Sequence, residues 1–346
     1  MCIYMIKMEK RKILALGQSS HVISLPKVWL KTNNLNKGDY ISILPQSNGS
    51  LFIYPSNGAT QDIRSIQLRI VVAEGDASIA RKIIGAYMDG YTLIKLGSEK
   101  IFTADQQAAI RRVANTLYMM VIESEASNVV LETLIDESKA SVFAGVERMH
   151  LITYSMFKDT LQALRSRDRA LASSVASLEN DVDQLMFFLL RLIRGAAQDL
   201  SLGSRLGIDP LSCLEYQRLV HSIESIADHV AVMATSVVAL LDSDFEVPAS
   251  VYDGILKAAD VAFSSYDLAV RCFLSSNVDP TNEIIDEKSL IEGLYSQLTP
   301  LPLIGDQGST SLLAHIISIR ESIKRISHYT SDIAELTIER AYKIKK

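Results

Sequence analysis

Cysteine is scarce in this chain. Cys2, Cys213 and Cys272 are scattered and odd in number, a pattern that fits neither a disulfide framework nor a thiolate zinc site and implies reduced, structural thiols. Long apolar runs are also missing. The run Val230 to Leu241 has 12 residues between His229 and Asp242, short of the roughly 18 to 20 that a membrane span needs. No transmembrane segment is therefore expected. Residues Met1 to Lys12 alternate apolar and basic side chains without a continuous apolar core or a cleavage site, unlike a secretion signal, so a soluble cytoplasmic protein is the expectation. Common catalytic signatures are absent: there is no Walker loop with Lys-Ser/Thr, no Gly-x-Ser-x-Gly, no Cys/His nucleophile pairing and no Rossmann fingerprint. Glu147-Arg-Met-His150 has the ExxH spacing of di-iron carboxylate oxidases, but such a site needs two of these pairs and two further glutamates. Glu147 and His150 read instead as a polar helix face, and no enzymatic activity is expected.

What the chain does have is length, apolar content and an uneven charge. At 346 residues and 48% hydrophobic, it is long enough for two or three domains with real cores. Residues 1–56 carry seven Lys/Arg against Glu9 and Asp39, net +5, so the remaining 290 residues carry net −10. A basic head on an acidic body suggests a nucleic-acid-binding module joined to something that is not one; the plainer alternative is a solubilising lysine rim.

The head reads as short strands, Lys10 to Leu16, His21 to Leu25, Tyr40 to Leu44 and Leu51 to Tyr54, separated by turn chemistry at Gly17–Ser20, Asn36–Asp39 and Gln46–Ser50. Pro26 opens a short helix, Lys27 to Thr32. Four short strands and one helical turn cannot close a good core alone, so dimerisation through this segment is expected. From about residue 64 to 136 the pattern is a small α/β domain: strand Ser65 to Val72, helix Asp76 to Met88 with a Gly90 stop, strand Tyr91 to Leu96, a longer helix from Thr103, and a third strand near Val129 to Leu134. Such a module is expected to be a plain dimerisation element; sensing a small ligand and only fixing the spacing between head and body are the alternatives. After Asp136 the chain is helical, with helices expected at Glu137 to Arg165, Arg167 to Leu200, Pro210 to Leu241, Ala249 to Ser275, Thr281 to Leu298 and Ser309 to Ala341.

Two acidic pairs of one spacing, Glu179-x-x-x-Asp183 and Glu224-x-x-x-Asp228, stand in these helices. Residues four apart share a helix face, so each pair projects two carboxylates the same way. Their neighbours Val182, Leu185, Met186, Ile223 and Ile226 are apolar, where carboxylates are costly unless something cationic joins them. Hard-oxygen clusters of this kind suit Mg, Ca, Mn or iron; the alternative is four solvated acids in helical ion pairs. His221 shares the face of Glu224 and is a further candidate ligand.

The six helices read as a triplet used twice, about 137–242 and 249–341. Ser222, Ile223, Ile226 and Ala234 fall on Ser322, Ile323, Ile326 and Ala334 at an offset of 100 residues, as in an internal duplication. The second copy changes sign: Lys324 stands where Glu224 stands and His328 where Asp228 stands, with Asn282-x-x-x-Asp286 in place of the first acidic pair. Lys324 near Asp286 is expected to replace an ion, which makes cation occupancy asymmetric.

Two family resemblances follow from these motifs. Leu16-Gly-Gln-Ser-Ser-His-Val-Ile-Ser-Leu-Pro-Lys-Val-Trp-Leu, with Leu35-Asn-Lys-Gly-Asp-Tyr-Ile-Ser-Ile and Phe52-Ile-Tyr-Pro, resembles the AbrB/SpoVT/MazE swapped-hairpin family over residues 7–56. Residues 137–346 resemble the PhoU family, whose E(D)xxxD motif Glu179/Asp183 and Glu224/Asp228 match. The order resembles archaeal PhoU-type regulators. The resemblance implies a dimeric swapped-hairpin β-barrel whose Lys10, Arg11, Lys12, Lys27 and Lys31 meet double-stranded DNA, and a body of paired three-helix bundles holding multinuclear metal, iron or zinc. A head that has kept only dimerisation is the alternative. The function implied is a metal-binding transcriptional regulator of phosphate uptake. The rival reading is a PhoU-like accessory protein that docks on the phosphate transporter ATPase, for which the helical body alone suffices.

Overall fold

The computed structural model describes residues 9–17, 19–45, 49–55, 64–243, 247–297 and 309–343, in two units that divide near residue 62. Cys2, Lys7, Gln18, residues 46–48 of the turn in the head and Leu298 lie outside the described residues. In the first unit, β1 (Leu14–Leu16) pairs antiparallel with β2 (Ser20–Val22), and β3 (Ile41–Pro45) with β4 (Leu51–Pro55), as two separate two-stranded sheets. Between them lies α1 (Lys27–Thr32), which Pro26 precedes in extended conformation as its cap rather than as its first helical residue. Leu35 is buried, while Ile13, Leu14, Leu16, Val28, Tyr40 and Ile43 are exposed. Two isolated hairpins do not enclose a core.

The second unit starts with an α/β module. Its elements are β5 (Ser65–Ile70), α2 (Asp76–Met88), β6 (Leu93–Ser98), α3 (Ala104–Thr116), β7 (Met119–Ser124) and β8 (Asn128–Thr133). The sheet order is β5-β6-β8-β7, with β5 and β6 parallel and the other pairs antiparallel. Alternating residues Ile70, Ile94, Leu96 and Leu131 meet Ile79 and Ile83 of α2 in the core. Gly90, at φ +89°, takes the left-handed turn that frees the chain from α2. Thr103 caps α3 in a reciprocal box with Gln106. The buried Gln106 amide also donates to the carbonyls of Val71, Val72 and Glu74, tying down the β5–α2 loop.

Here the sequence expectation needs correction: the helix from Thr103 stops at Thr116, and Met119–Ser124 forms a fourth strand. The apolar run from Leu117 to Ile122 satisfies both a helical and a strand reading, so its pattern did not separate them. Tyr118, at φ +51°, makes the break between α3 and β7.

A 3₁₀ turn at Glu137–Lys139 leads into the helical body, formed by α4 (Val142–Ser166), α5 (Arg169–Gln198), α6 (Leu200–Leu206), α7 (Pro210–Leu241), α8 (Ala249–Ser275), α9 (Thr281–Gln297) and α10 (Ser309–Ala341). Ser141, Asp168 and Asp209 each accept a backbone N–H at a helix start. Arg167, expected inside the second helix, is instead the left-handed residue that ends α4. Asp199 ends α5 and caps α6, a short helix absent from the sequence reading. Helices α4, α5 and α7 pack together, α8, α9 and α10 pack together, and the two groups join through α7 on α10 and α4 on α8. The offset of 100 residues holds in the core: Leu219/Ile319, Ile223/Ile323, Ile226/Ile326, Met233/Ile333 and Ala234/Ala334 are all buried. Among the described residues α7 is the one helix long and apolar enough to cross a membrane, yet its apolar side chains line the bundle core.

The module rests on α5 through α2 and α3. Arg191 of α5 is 2% exposed. It donates to the carbonyls of Tyr87 (2.5 Å) and Tyr91 (2.9 Å) at the end of α2, binds Glu137 at 2.6 Å, and lies over the Tyr87 ring. A cation on these C-terminal carbonyls also complements the helix dipole.

Candidate metal centre

Because α5 and α7 pack along each other, the acidic faces of their i, i+4 pairs meet. Asp183, Glu224 and Asp228 each place a carboxylate oxygen within 4.8 Å of the other two. Glu179 stands outside that set, one turn away on α5, near enough for its charge to act on Glu224. All four are half-buried, over a floor of fully or nearly fully buried Val182, Leu185, Met186, Ile223 and Ile226.

Burial is the main force on these carboxyls, and mutual repulsion adds to it. Burial first, then the charges of Asp228 and Asp183, raise Glu224 to about 7. Burial, then Asp228 and Glu179, raise Asp183 to about 6. Burial also raises Asp228, and burial followed by the Asp228 charge raises Glu179. None of the four has an ion-pair partner among the described residues, and their one hydrogen bond comes from the Ser225 hydroxyl to Glu224 at 3.4 Å. Converging carboxylates that lack a protein cation fit a hard, oxygen-seeking metal ion.

The other candidates are placed differently. His221 is exposed and does not join the three converging carboxylates. Glu147 is exposed, but His150 is not part of a polar surface: it is buried between α4 and α8. Its Nε2 lies 3.1 Å from Asp267 and its Nδ1 3.1 Å from the Tyr266 hydroxyl. A carboxylate only accepts, so Nε2 carries the proton and Nδ1 accepts from tyrosine. Burial holds this imidazole below the usual histidine range despite the opposing pull of Asp267. The surface expectation failed because α8, 116 residues later in sequence, covers this side chain. In the second repeat Asp286 is exposed, and on that side His328 Nε2 of α10 lies 3.3 Å from the Glu292 carboxylate of α9. In the first unit, Lys10, Arg11, Lys12, Lys27 and Lys31 are all exposed; Arg11 pairs with Glu9.

Comparison with known proteins places this centre in a familiar fold. The PhoU domain model matches residues 146–237, an interval that begins in α4, ends in α7 and contains all four carboxylates. The phosphate-specific transport system accessory protein PhoU homolog 2 of Thermotoga maritima is 24% identical over 211 residues, 60% of this chain and 87% of that protein. PhoU from Pseudomonas aeruginosa superposes with a TM-score of 0.51 at 19% identity, over 57% of this chain and 93% of that one. PhoU from Streptococcus pneumoniae aligns with a TM-score of 0.47 at 17% identity, over 57% of this chain and 91% of that one. The chain thus carries a PhoU domain match on its first helical repeat, has a PhoU homologue in T. maritima, and shares its helical fold with the P. aeruginosa protein.

Proposed function

We propose that this protein is a cytoplasmic accessory regulator of a phosphate transport system, without catalytic activity, whose body docks on the transporter's ATPase subunit. The observation that carries the reading is the PhoU domain match over residues 146–237, together with the meeting of Asp183, Glu224 and Asp228 inside it. Glu179, Asp183, Glu224 and Asp228 would hold metal between α5 and α7. Iron or zinc follows from the resemblance, while an all-carboxylate donor set also admits Mg, Mn or Ca. Binding of the full-length protein to the purified ATPase subunit, with and without added metal, tests the docking. A metal-loaded protein that does not bind the subunit refutes it. Elemental analysis tests the centre: Glu224→Gln with Asp228→Asn should lose metal, Asp286→Asn should not, and equal loss from both would defeat the asymmetry between repeats.

A second reading adds an output through DNA. It rests on the net +5 of residues 1–56, on the exposure of Lys10, Arg11, Lys12, Lys27 and Lys31, and on two hairpins that leave their apolar side chains uncovered. In this reading two chains intertwine their heads as a swapped-hairpin barrel and grip duplex phosphates. The accessory role takes precedence because the family match lies on the helical body. Replacing Lys10, Arg11 and Lys12 by Gln should flatten the salt dependence of DNA binding by up to about 0.9 per lost phosphate contact. An unchanged slope removes the head from the contact.

A further inference from the structure

A cavity of about 590 Å³ opens between the second half of α3, strand β7 and the segment that follows β8. Its apolar surface includes buried Met119 and the exposed side chains of Met120 and Leu134. Its polar side chains are Arg111, Asn115 and Tyr118, and no acidic residue lines it. Among the described residues none of these three side chains has a hydrogen bond or an ion pair, whereas the adjacent Arg112 is paired with Asp76 at 3.0 Å. Arg111 is thus an exposed cation at the side of an apolar slot, with no counter-ion among the described residues. Tyr118 is held in the left-handed backbone region that bulky residues seldom adopt, and its ring packs edge-on against Phe188 of α5 at 6.3 Å. An outlier of this kind beside a cavity is a place to look for binding.

The volume lies within the range of small-molecule sites, which combine apolar walls with a few polar anchors. A guanidinium binds a planar carboxylate, as it binds phosphate, through two parallel hydrogen bonds, and the apolar walls suit the carbon body of an organic carboxylate. The carbonyl end of α3, at Asn115 and Tyr118, carries partial negative charge. The anionic end of a ligand therefore belongs at Arg111, a turn upstream, with the apolar body against Met119 and Leu134. We propose that this cavity binds a small organic carboxylate with a compact apolar body, making the α/β module a ligand-binding element. The proposal stands independently of the phosphate reading.

Ligand-observed NMR and equilibrium dialysis on the full-length protein test it, with octanoate, 4-phenylbutyrate and indole-3-acetate as probes and their uncharged amides as controls. At least one carboxylate should bind saturably in preference to its amide. Arg111→Gln should weaken that binding about tenfold, the loss expected for a charge-assisted bond, and Met120→Glu should weaken it by placing a like charge in the wall. Both substitutions alter exposed side chains, and circular dichroism verifies that the fold is kept. Absence of saturable binding by all three probes up to about 10 mM, a limit weaker than any specific small-molecule site, overturns the proposal. So does binding that Arg111→Gln leaves unchanged.

Discussion

Loading the carboxylate cluster with a divalent cation should expel protons, and pH sets how many. With Asp183 at about 6 and Glu224 at about 7, the two together hold about one proton at pH 6.5 and about a tenth of one at pH 8. The cation takes both groups as carboxylates. Titrating Mn²⁺ into cation-free protein at pH 6.5, in buffers of different protonation enthalpy, should give heats that differ by about one proton's worth of buffer ionisation. At pH 8 the difference should nearly vanish. The fraction with both groups ionised rises about fivefold between these values, so the apparent affinity should tighten by about that factor. Burial and repulsion also raise Asp228 and Glu179, which adds to the effect in the same direction. Saturable Mn²⁺ binding with the same heat in every buffer at pH 6.5 would refute the reasoning, since the carboxyls would then be ionised before the metal arrives.

Folded-state values raised above those of the unfolded chain mean that the native protein holds extra protons between about pH 4 and 7, so this contribution is full below the unfolded values and is lost as pH rises through the folded ones. The melting temperature of the cation-free protein should therefore fall more between pH 5 and 8 than that of an Asp183→Asn/Glu224→Gln variant, and a parallel fall in both would contradict it. Arg191→Ala should cost about 3 kcal/mol in urea unfolding, because it strips the buried bonds to Tyr87, Tyr91 and Glu137; a loss below about 1 kcal/mol, no more than an exposed ion pair contributes, would show that the pin is dispensable. Gly203→Ala should cost about 1–3 kcal/mol, since a Cβ there would stand 2.9 Å from the Ile208 carbonyl oxygen, and an unchanged urea midpoint would count against that close approach.

Long amphipathic elements with unambiguous ends are legible in this sequence. Asp76–Met88, Pro210–Leu241, Ala249–Ser275 and Ser309–Ala341 form helices with the expected bounds, because breaks rich in Gly, Pro, Asp and Ser, and for Pro210–Leu241 the Asp209 cap, coincide with the ends of their apolar periods. Strand β7 and helix α6 are not legible, since Leu117–Ile122 fits two periods and Asp199 serves two helices at once. At the centre, the shared face of each acidic pair follows from i, i+4 spacing alone. Which oxygens meet depends on how α5 crosses α7, and that crossing puts Asp183 rather than Glu179 opposite Glu224 and Asp228. Arg191 and His150 are harder still: each is explained by partners about 50 to 117 residues away, which no local pattern encodes.

The two helical repeats show why core positions match while acid positions differ. Ile223, Ile226, Met233 and Ala234 are buried, and so are Ile323, Ile326, Ile333 and Ala334; a polar change at any of them would leave an unpaired group in a close-packed interior. The acid positions lie instead on the half-buried face, where Lys324 and His328 replace Glu224 and Asp228 without disturbing a packed side chain. At the join, His229 and Tyr329, again 100 residues apart, pack with their rings tilted and centroids 6.1 Å apart, so α7 and α10 meet through equivalent residues. A carboxylate cluster repels itself until a cation enters, whereas mixed signs need none. Replacement of Glu224 and Asp228 by Lys324 and His328 thus leaves the second repeat, among the described residues, without the converging carboxylates that the first repeat carries.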